Sequence, residues 1–150
     1  LQYINTLSSN AQTQITAAGG GTRQVAQVGS KGYSVTSSSS YANMPAATVT
    51  ITTTGGNVLV QCFAGGWLTA TGRNGWLATR MDAGSDENGV IVLNSLTGGA
   101  NTYGSGLTQF LFTSVSAASH TFYGRWKLDY ASGSWNNSNY GLTMIVMELA

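Results

Sequence analysis

Residues 120–130 alternate strictly between two chemistries, and that alternation constrains the fold more than any other feature of the chain. Even positions carry His120, Phe122, Gly124, Trp126, Leu128 and Tyr130, and odd positions carry Thr121, Tyr123, Arg125, Lys127 and Asp129. Successive side chains on a β-strand point to opposite faces. One face of this strand is therefore core, and the other meets solvent or a polar interface.

The same period runs through the rest of the chain. Strands are expected at residues 33–39, 47–53, 58–63, 77–81, 90–93, 107–115 and 142–149, with glycine-rich loops between them. Ala47, Val49 and Ile51 alternate with Thr48, Thr50 and Thr52, which is a half-exposed strand. Val58, Val60 and Cys62 share one face of the next strand, and Leu59 and Phe63 share the other. Gly55-Gly56-Asn57 reads as a hairpin turn between the two. Met44-Pro45 holds the only proline and marks the start of the 47–53 strand, because proline cannot sit in a central ladder. About eight to ten short strands at regular spacing, without an interior helix, imply an all-β jelly-roll sandwich. Residues 142–149 are apolar on both faces: Leu142, Met144 and Val146 on one, Ile145, Met147 and Leu149 on the other. Such a strand needs a cover on its second side, and a neighbouring subunit would supply it.

The N-terminus follows a different period. Leu1, Ile4, Ser8, Ala11, Ile15 and Ala18 recur at alternating spacings of 3 and 4, an a/d heptad seam. An ordinary amphipathic helix is the plain alternative. Gly19-Gly20-Gly21 ends the helix. The expected organisation is a coiled-coil stalk end over residues 1–18, a glycine-rich joint over 19–32 and a jelly-roll head over 33–150. A short strand around residues 24–28 is compatible with that joint.

Only 7% of the 150 residues are charged and 42% are hydrophobic, so the chain is ordered and poor in charge. That composition fits an extracellular or virion-surface protein, and it fits surfaces buried between subunits, where unpaired charge is costly. Arg23, Lys31, Arg73, Arg80, Arg125 and Lys127 are scattered along a chain of net charge +1, which argues against nucleic-acid and polybasic membrane binding. No apolar run approaches the roughly 20 residues of a membrane span. The N-terminus lacks the basic start and continuous apolar stretch of a signal peptide. A single cysteine, Cys62, excludes an intrachain disulfide and a Cys-rich zinc site. Its alternation with Val58 and Val60 reads as a small core residue.

Catalysis needs convergent titratable groups, and few are present. The acids are Asp82, Asp86, Glu87, Asp129 and Glu148, and His120 is the only histidine. A Ser-His-Asp arrangement stays open, although the chain has no Gly-x-Ser-x-Gly nucleophile elbow. Lying on the apolar face, His120 reads first as a packed, hydrogen-bonded structural residue. Asp82, Asp86 and Glu87 form one acidic loop whose oxygens suit Ca²⁺, but it lacks the EF-hand pattern and reads equally as a solvated hairpin. No resident metal or cofactor is expected.

The aromatic loops are the candidate binding residues. Trp67 and Trp76 flank a loop carrying Arg73 and Asn74, and Trp135 and Tyr140 bracket Asn136 and Asn137. Tyr103, in the glycine-rich stretch 98–106, is a third candidate. Aromatic faces beside amides and hydroxyls suit sugars, because the ring covers the C–H face while the amides bond the hydroxyls. The bland reading is that these rings seal hairpins or pack between subunits.

A family resemblance rests on Tyr41-Ala42-Asn43-Met44-Pro45, Gly55-Gly56, Ser116-Ala117-Ala118-Ser119-His120-Thr121-Phe122, Arg125-Trp126-Lys127, Trp135-Asn136 and the terminal Leu142–Leu149. Their order and spacing over most of residues 33–149 resemble the trimeric jelly-roll heads related to the tumour necrosis factor and complement globular-head folds. The version it resembles is the one found on bacteriophage and prophage fibre proteins. Leu7-Ser8-Ser9-Asn10-Ala11-Gln12-Thr13-Gln14-Ile15 likewise resembles a fibre stalk ending before its head. The resemblance implies a homotrimer with the C-terminal strand near the threefold axis. Leu1, Ile4, Ala11, Ile15, Ile145, Met147 and Leu149 are then the candidate interface.

The expected function is non-enzymatic: a tail-fibre receptor-binding head at the distal end of a virion fibre, attaching to a bacterial cell-surface glycan or surface protein. The alternative is a structural trimerising cap or capsid decoration protein that binds no ligand. A polysaccharide-cleaving enzyme would need two carboxylates about 5–10 Å apart in a groove. Five acids, three of them in one loop, argue against it.

Overall fold

The computed structural model describes residues 25–30, 35–36, 38–68, 74–84, 87–94, 102–129, 135–136 and 141–149. They form ten strands: β1 (Val25–Ser30), β2 (Val35–Thr36), β3 (Ala42–Thr52), β4 (Gly56–Leu68), β5 (Asn74–Met81), β6 (Asn88–Asn94), β7 (Thr102–Val115), β8 (Ser119–Leu128), β9 (Trp135–Asn136) and β10 (Leu142–Leu149). The coiled-coil expectation for residues 1–18 lies outside the described residues.

All pairing is antiparallel and nested around the β5–β6 hairpin. β4 pairs with β7, β3 with β8, β2 with β9 and β1 with β10. The chain is thus one long hairpin wound over on itself, which is how a jelly-roll-type sandwich arises. Further bonds of β10 to β4 and of β5 to β8 close two sheets. The six-stranded sheet runs β1-β10-β4-β9-β2, with β7 also on β4, and the four-stranded sheet runs β3-β8-β5-β6. Residues 25–30, within the stretch expected as a joint, are therefore a strand of the head.

The core lies where the two inner faces meet. Phe122, Trp126 and Leu128 of β8 face Val58, Val60 and Cys62 of β4 and Met144 and Val146 of β10, all fully or almost fully buried. Burial pushes the Cys62 thiol up to about 12, as befits a sulfur without polar company. Phe112 meets Phe110 and Phe122 edge-on, at centroid separations of 4.9 and 5.5 Å. Gly124 of β8 has no room for a side chain: an added Cβ would stand 2.7 Å from Ala47 Cβ on neighbouring β3 and 2.9 Å from Cys62 Sγ in the facing sheet.

Two local expectations need correction. Gly55-Gly56-Asn57 is not a hairpin turn, because β3 pairs with β8 and β4 with β10 and β7. Gly55 and Gly56 have φ of 102° and 136°, and they carry the chain across from one sheet to the other. The crossing is fixed by side chains. Thr53 Oγ1 donates to the Ser116 carbonyl at 2.6 Å, and the Thr54 amide and hydroxyl both donate to Glu148 Oε1, at 2.6 and 2.9 Å. Pro45, in turn, does not mark the strand's start. β3 begins at Ala42 and is an edge strand, and its register with β8 shifts between Asn43 and Thr48. Pro45 sits in that bulge beside Ala46, whose φ is 63°. A bulge on an edge is where a strand tolerates a residue without an N–H.

Candidate functional site

The two outer faces of the sandwich differ in chemistry. On the six-stranded sheet, outward residues line up across the strands through the ladder register. Val25, Met147, Leu59 and Leu111 form one lateral row, and Thr143, Phe63 and Leu107 lie in another. Between them runs Gln27, Ile145, Gln61 and Gln109, with Gln61 Nε2 donating to Gln109 Oε1 at 3.2 Å. Val25 is 61% exposed, Leu107 52% and Leu111 42%, values far above those of the core. These rows contain no charged side chain. Ile145, Met147 and Leu149, the described members of the expected subunit interface, all belong to this face; Leu1, Ile4, Ala11 and Ile15 lie outside the described residues.

The outer face of the four-stranded sheet is basic and aromatic. Register places Trp76 opposite Lys127, Ala78 opposite Arg125, and Arg80 opposite Tyr123 on β5 and β8, with Asn43 of β3 on the far side of Arg125. Lys127 Nζ stands 4.7 Å from the Tyr41 ring centroid and 5.1 Å from that of Trp76, held between two π faces. Arg80 Cζ lies 5.2 Å from the Tyr123 centroid. Arg125 is buried and fully engaged: Nε donates to Glu87 Oε1 at 3.0 Å, one terminal nitrogen donates to Asn43 Oδ1, and the other to the Tyr41 carbonyl at 2.8 Å. Arg80 reaches the same Asn43 oxygen with a long 3.5 Å bond. Trp76 Nε1, Arg80 Nε and Glu87 Oε2 are shielded and have no partner among the described residues. Burial raises the Tyr41 hydroxyl above its ordinary value, helped by the charge of Glu87 and opposed by Arg125. So Arg80, Arg125 and Lys127, scattered in sequence, share one face, with Glu87 paired to Arg125.

The expected binding residues fall at three places. Trp67 lies in β4, Tyr103 in β7 and Trp135 and Asn136 in β9, so these are strand positions, not loop positions. Trp67 is the ladder partner of both Tyr103 and Asn136, and Leu68 that of Trp135, so all four backbones meet at one end of the six-stranded sheet. Asn74 and Trp76 belong instead to β5 of the other sheet. Asn74 is pinned to the end of β8, its amide donating to Asp129 Oδ2 at 3.1 Å. Arg73, Asn137 and Tyr140 lie outside the described residues. Tyr41, Asn43, Arg80 and Tyr123 were not among the expected residues. Alternation alone placed Tyr123, Arg125 and Lys127 on one face, but only the β5–β8 register sets Trp76 and Arg80 beside them.

The acidic loop is divided between partners. Asp82 bonds His120 Nδ1 at 2.7 Å and accepts the Thr121 amide at 2.8 Å, whereas Glu87 pairs with Arg125. Asp86, the third candidate, lies outside the described residues, and no group of three metal-ligating side chains occurs among those described.

Ser116, His120 and Asp82 do form a line. His120 Nε2 is 3.1 Å from Ser116 Oγ, and Nδ1 faces the Asp82 carboxylate. Nε2 is also 3.1 Å from the Ser116 carbonyl oxygen, which can only accept. An imidazole with an acceptor at each nitrogen favours the cation, which has no lone pair to take a proton from a hydroxyl. The depression lined by Met81, Gly84, Asn88 and Phe112 contains none of the three groups. The arrangement is that of a clamp joining two turns, with His120 itself buried.

No protein-family profile matches the chain, and no curated protein matches it either. Among solved structures, it is similar to an Eiger TNF from S. frugiperda at 6% identity, covering 84% of this chain and 93% of that one, with a TM-score of 0.43. An infectious bursal disease virus Gx strain structure aligns at 13% identity, over 85% of this chain and 36% of that one, with a TM-score of 0.35. The enzymatically active domain of bacteriophage CBA120 tailspike protein 4 aligns at 13% identity, over 87% of this chain and 20% of that one, with a TM-score of 0.25. Among the described residues no helix is long and apolar enough to cross a membrane, a statement that does not bear on β-barrels.

Proposed function

We propose that this chain is the non-enzymatic attachment head of a virion fibre, acting as a homotrimer at the distal end and binding a bacterial cell-surface glycan or surface protein. The observation that carries the reading is the contrast between the two outer faces. One is uncharged, with an apolar row of Val25, Met147, Leu59 and Leu111 across β1, β10, β4 and β7, exposed Phe63 and Leu107 beyond it, and glutamines between them. Left in water, exposed apolar rows of this extent favour association. The other face is polar, aromatic and solvent-reaching, which suits a ligand. On the β6 edge exposed Val90 and Val92 form a second apolar patch, and Val92, as the ladder partner of Trp76, borders the aromatic face. Two unlike patches suit a heterologous interface, which closes into a ring. Three copies of one shallow site then reach useful avidity without a strong single site.

The reading is tested by labelled protein on whole cells. Selective, saturable binding to a permissive host, by a species whose light-scattering mass is three chains, supports it. A trimer that binds no permissive host supports the second reading, a structural cap. One observation favours that second reading: Trp76 has a shielded indole nitrogen and a ring face taken by Lys127, as a packing residue would.

A further inference from the structure

Resting on the attachment reading, we infer that the outer face of the four-stranded sheet is a binding site for a carboxylate-bearing glycan, a polymer of uronate-type sugars. Three observations converge on that chemistry. The first is charge. Arg80, Arg125 and Lys127 share this face, Glu87 neutralises Arg125, and the remaining two cations have no carboxylate partner among the described residues. Asp129, on the same face by alternation, accepts the Asn74 backbone amide at the end of β8, so the three cations still outnumber the two carboxylates by one, and a surplus of positive charge in a chain that has few charges selects an anion.

The second is the supply of donors. The Arg80 guanidinium leans on Asn43 Oδ1 through a single 3.5 Å bond, and that oxygen already serves Arg125. Arg80 Nε is shielded and has no acceptor among the described residues, so it gains one only when the side chain swings outward. Drawing Arg80 away from so long a bond costs little and presents its planar fork to a carboxylate, the group that fork matches. Asn43 and Arg125, locked by Glu87 and the Tyr41 carbonyl, stay behind as a rigid floor.

The third is the rings. Trp76, Tyr41 and Tyr123 lie on the same face as the cations, and Trp76 and Arg80 stand four residues apart on one strand, about 13 Å. A uronate carries its charge on a pyranose whose C–H side can rest on an aromatic ring. A polyphosphate without sugar rings offers charge only. The face thus reads an extended anionic saccharide along β5 and β8.

The test uses the full chain and three immobilised polymers in a biosensor: polygalacturonate, its methyl ester and poly(glycerol phosphate). Polygalacturonate is expected to bind, more weakly as salt rises. Its methyl ester, with the same rings and no charge, and poly(glycerol phosphate), with charge and no rings, are each expected to bind about tenfold more weakly or worse. Arg80→Gln and Lys127→Gln are each expected to lose about tenfold on polygalacturonate, while Lys127→Arg keeps most binding. Circular dichroism of each variant confirms the fold. Equal binding of ester and acid, stronger binding of the phosphate polymer, no binding of polygalacturonate, or unchanged binding of both glutamine variants overturns the inference. The attachment reading is scored separately. Host-cell binding that survives Arg80→Gln and Lys127→Gln leaves that reading standing and removes this site.

Discussion

His120 Nδ1 lies 2.7 Å from Asp82 Oδ2, and this contact ties the turn after β5 to the start of β8. The ring's other nitrogen reaches Ser116 in the β7–β8 connection, so one imidazole joins connections of both sheets. Asp82 adopts φ of 52°, a left-handed conformation that aspartate tolerates better than most residues. Its second oxygen accepts the Thr121 amide at 2.8 Å. The histidine side chain is 10% exposed and the carboxylate 44%.

The clamp predicts a window of pH in which the head is most stable. The hydrogen bond His120 donates to Asp82 holds His120 above its ordinary 6.5, against the opposing effect of burial, with the Ser116 carbonyl adding to the rise. Its contribution is therefore complete below 6.5 and is lost as pH rises through the folded value. For Asp82, burial pushes the carboxyl up, but the His120 hydrogen bond, the Thr121 amide and the His120 charge together carry it below 3.8. That contribution is present above 3.8 and is lost as pH falls through the folded value. Both are whole between these two ordinary values. A carboxylate as exposed as this one is screened, so the expected loss on going to pH 8 is only about 0.2–1 kcal/mol. Denaturant melts at pH 5.5 and 8 measure it. Asp82→Asn should flatten the difference, and an unchanged difference in that variant would show that the clamp is not its source.

Gly124 predicts a steric limit on the core. Its missing side chain is what lets β8 approach Ala47 and Cys62, and a methyl there would sit 2.7 Å from one and 2.9 Å from the other. Neither neighbour is a flexible chain end. Gly124→Ala should cost about 1–3 kcal/mol through overpacking, read as a lower denaturation midpoint. Pairing it with Ala47→Gly should recover part of the loss. No recovery would place the strain elsewhere.

Much of this architecture was legible in local pattern, and the part that was not has a common cause. The inward faces of β4, β8 and β10 follow from alternation within each strand, as at Val58, Val60 and Cys62 or at Phe122 and Trp126. Pairing does not. Val25 meets Met147 because the nested order brings the first strand to the last, and no short window contains both. Gly55-Gly56 looks like a hairpin because the same two glycines serve a turn or a crossing, and the bonds of Thr53 and Thr54 that decide between them reach residues 116, 118 and 148. The basic face was hidden for the same reason. Arg80 and Arg125 are 45 positions apart in sequence but converge on Asn43 through the β5–β8 and β3–β8 registers.

Cys62 predicts chemical silence. The thiol is fully buried and its pKa is pushed up to about 12, so almost none is thiolate at neutral pH. A disulfide reagent at pH 8 should leave the native protein unlabelled and modify it fully in guanidinium. The rate in intermediate denaturant then reports opening of the core. Fast labelling of the native head would show that β4 leaves the sheet readily.

Met147 gives the sharpest test of assembly. It sits between Val25 and Leu59 in the apolar row that ends at Leu111 on the uncharged face. If this face is buried between copies, a carboxylate there must lose its water without gaining a partner, a cost of several kcal/mol per ion. Replacing the methionine also forfeits about 1.5–3 kcal/mol of apolar burial in each copy. Met147→Asp should therefore give a monomer by light scattering. Its circular dichroism should stay unchanged, because the inward partners of β10, Met144 and Val146, are untouched. The same substitution at Thr50, on the opposite sheet face, should leave the mass as it is. If Met147→Asp keeps a wild-type mass of three chains, the threefold contact lies on another surface, and the apolar rows of β1, β10, β4 and β7 require a different cover.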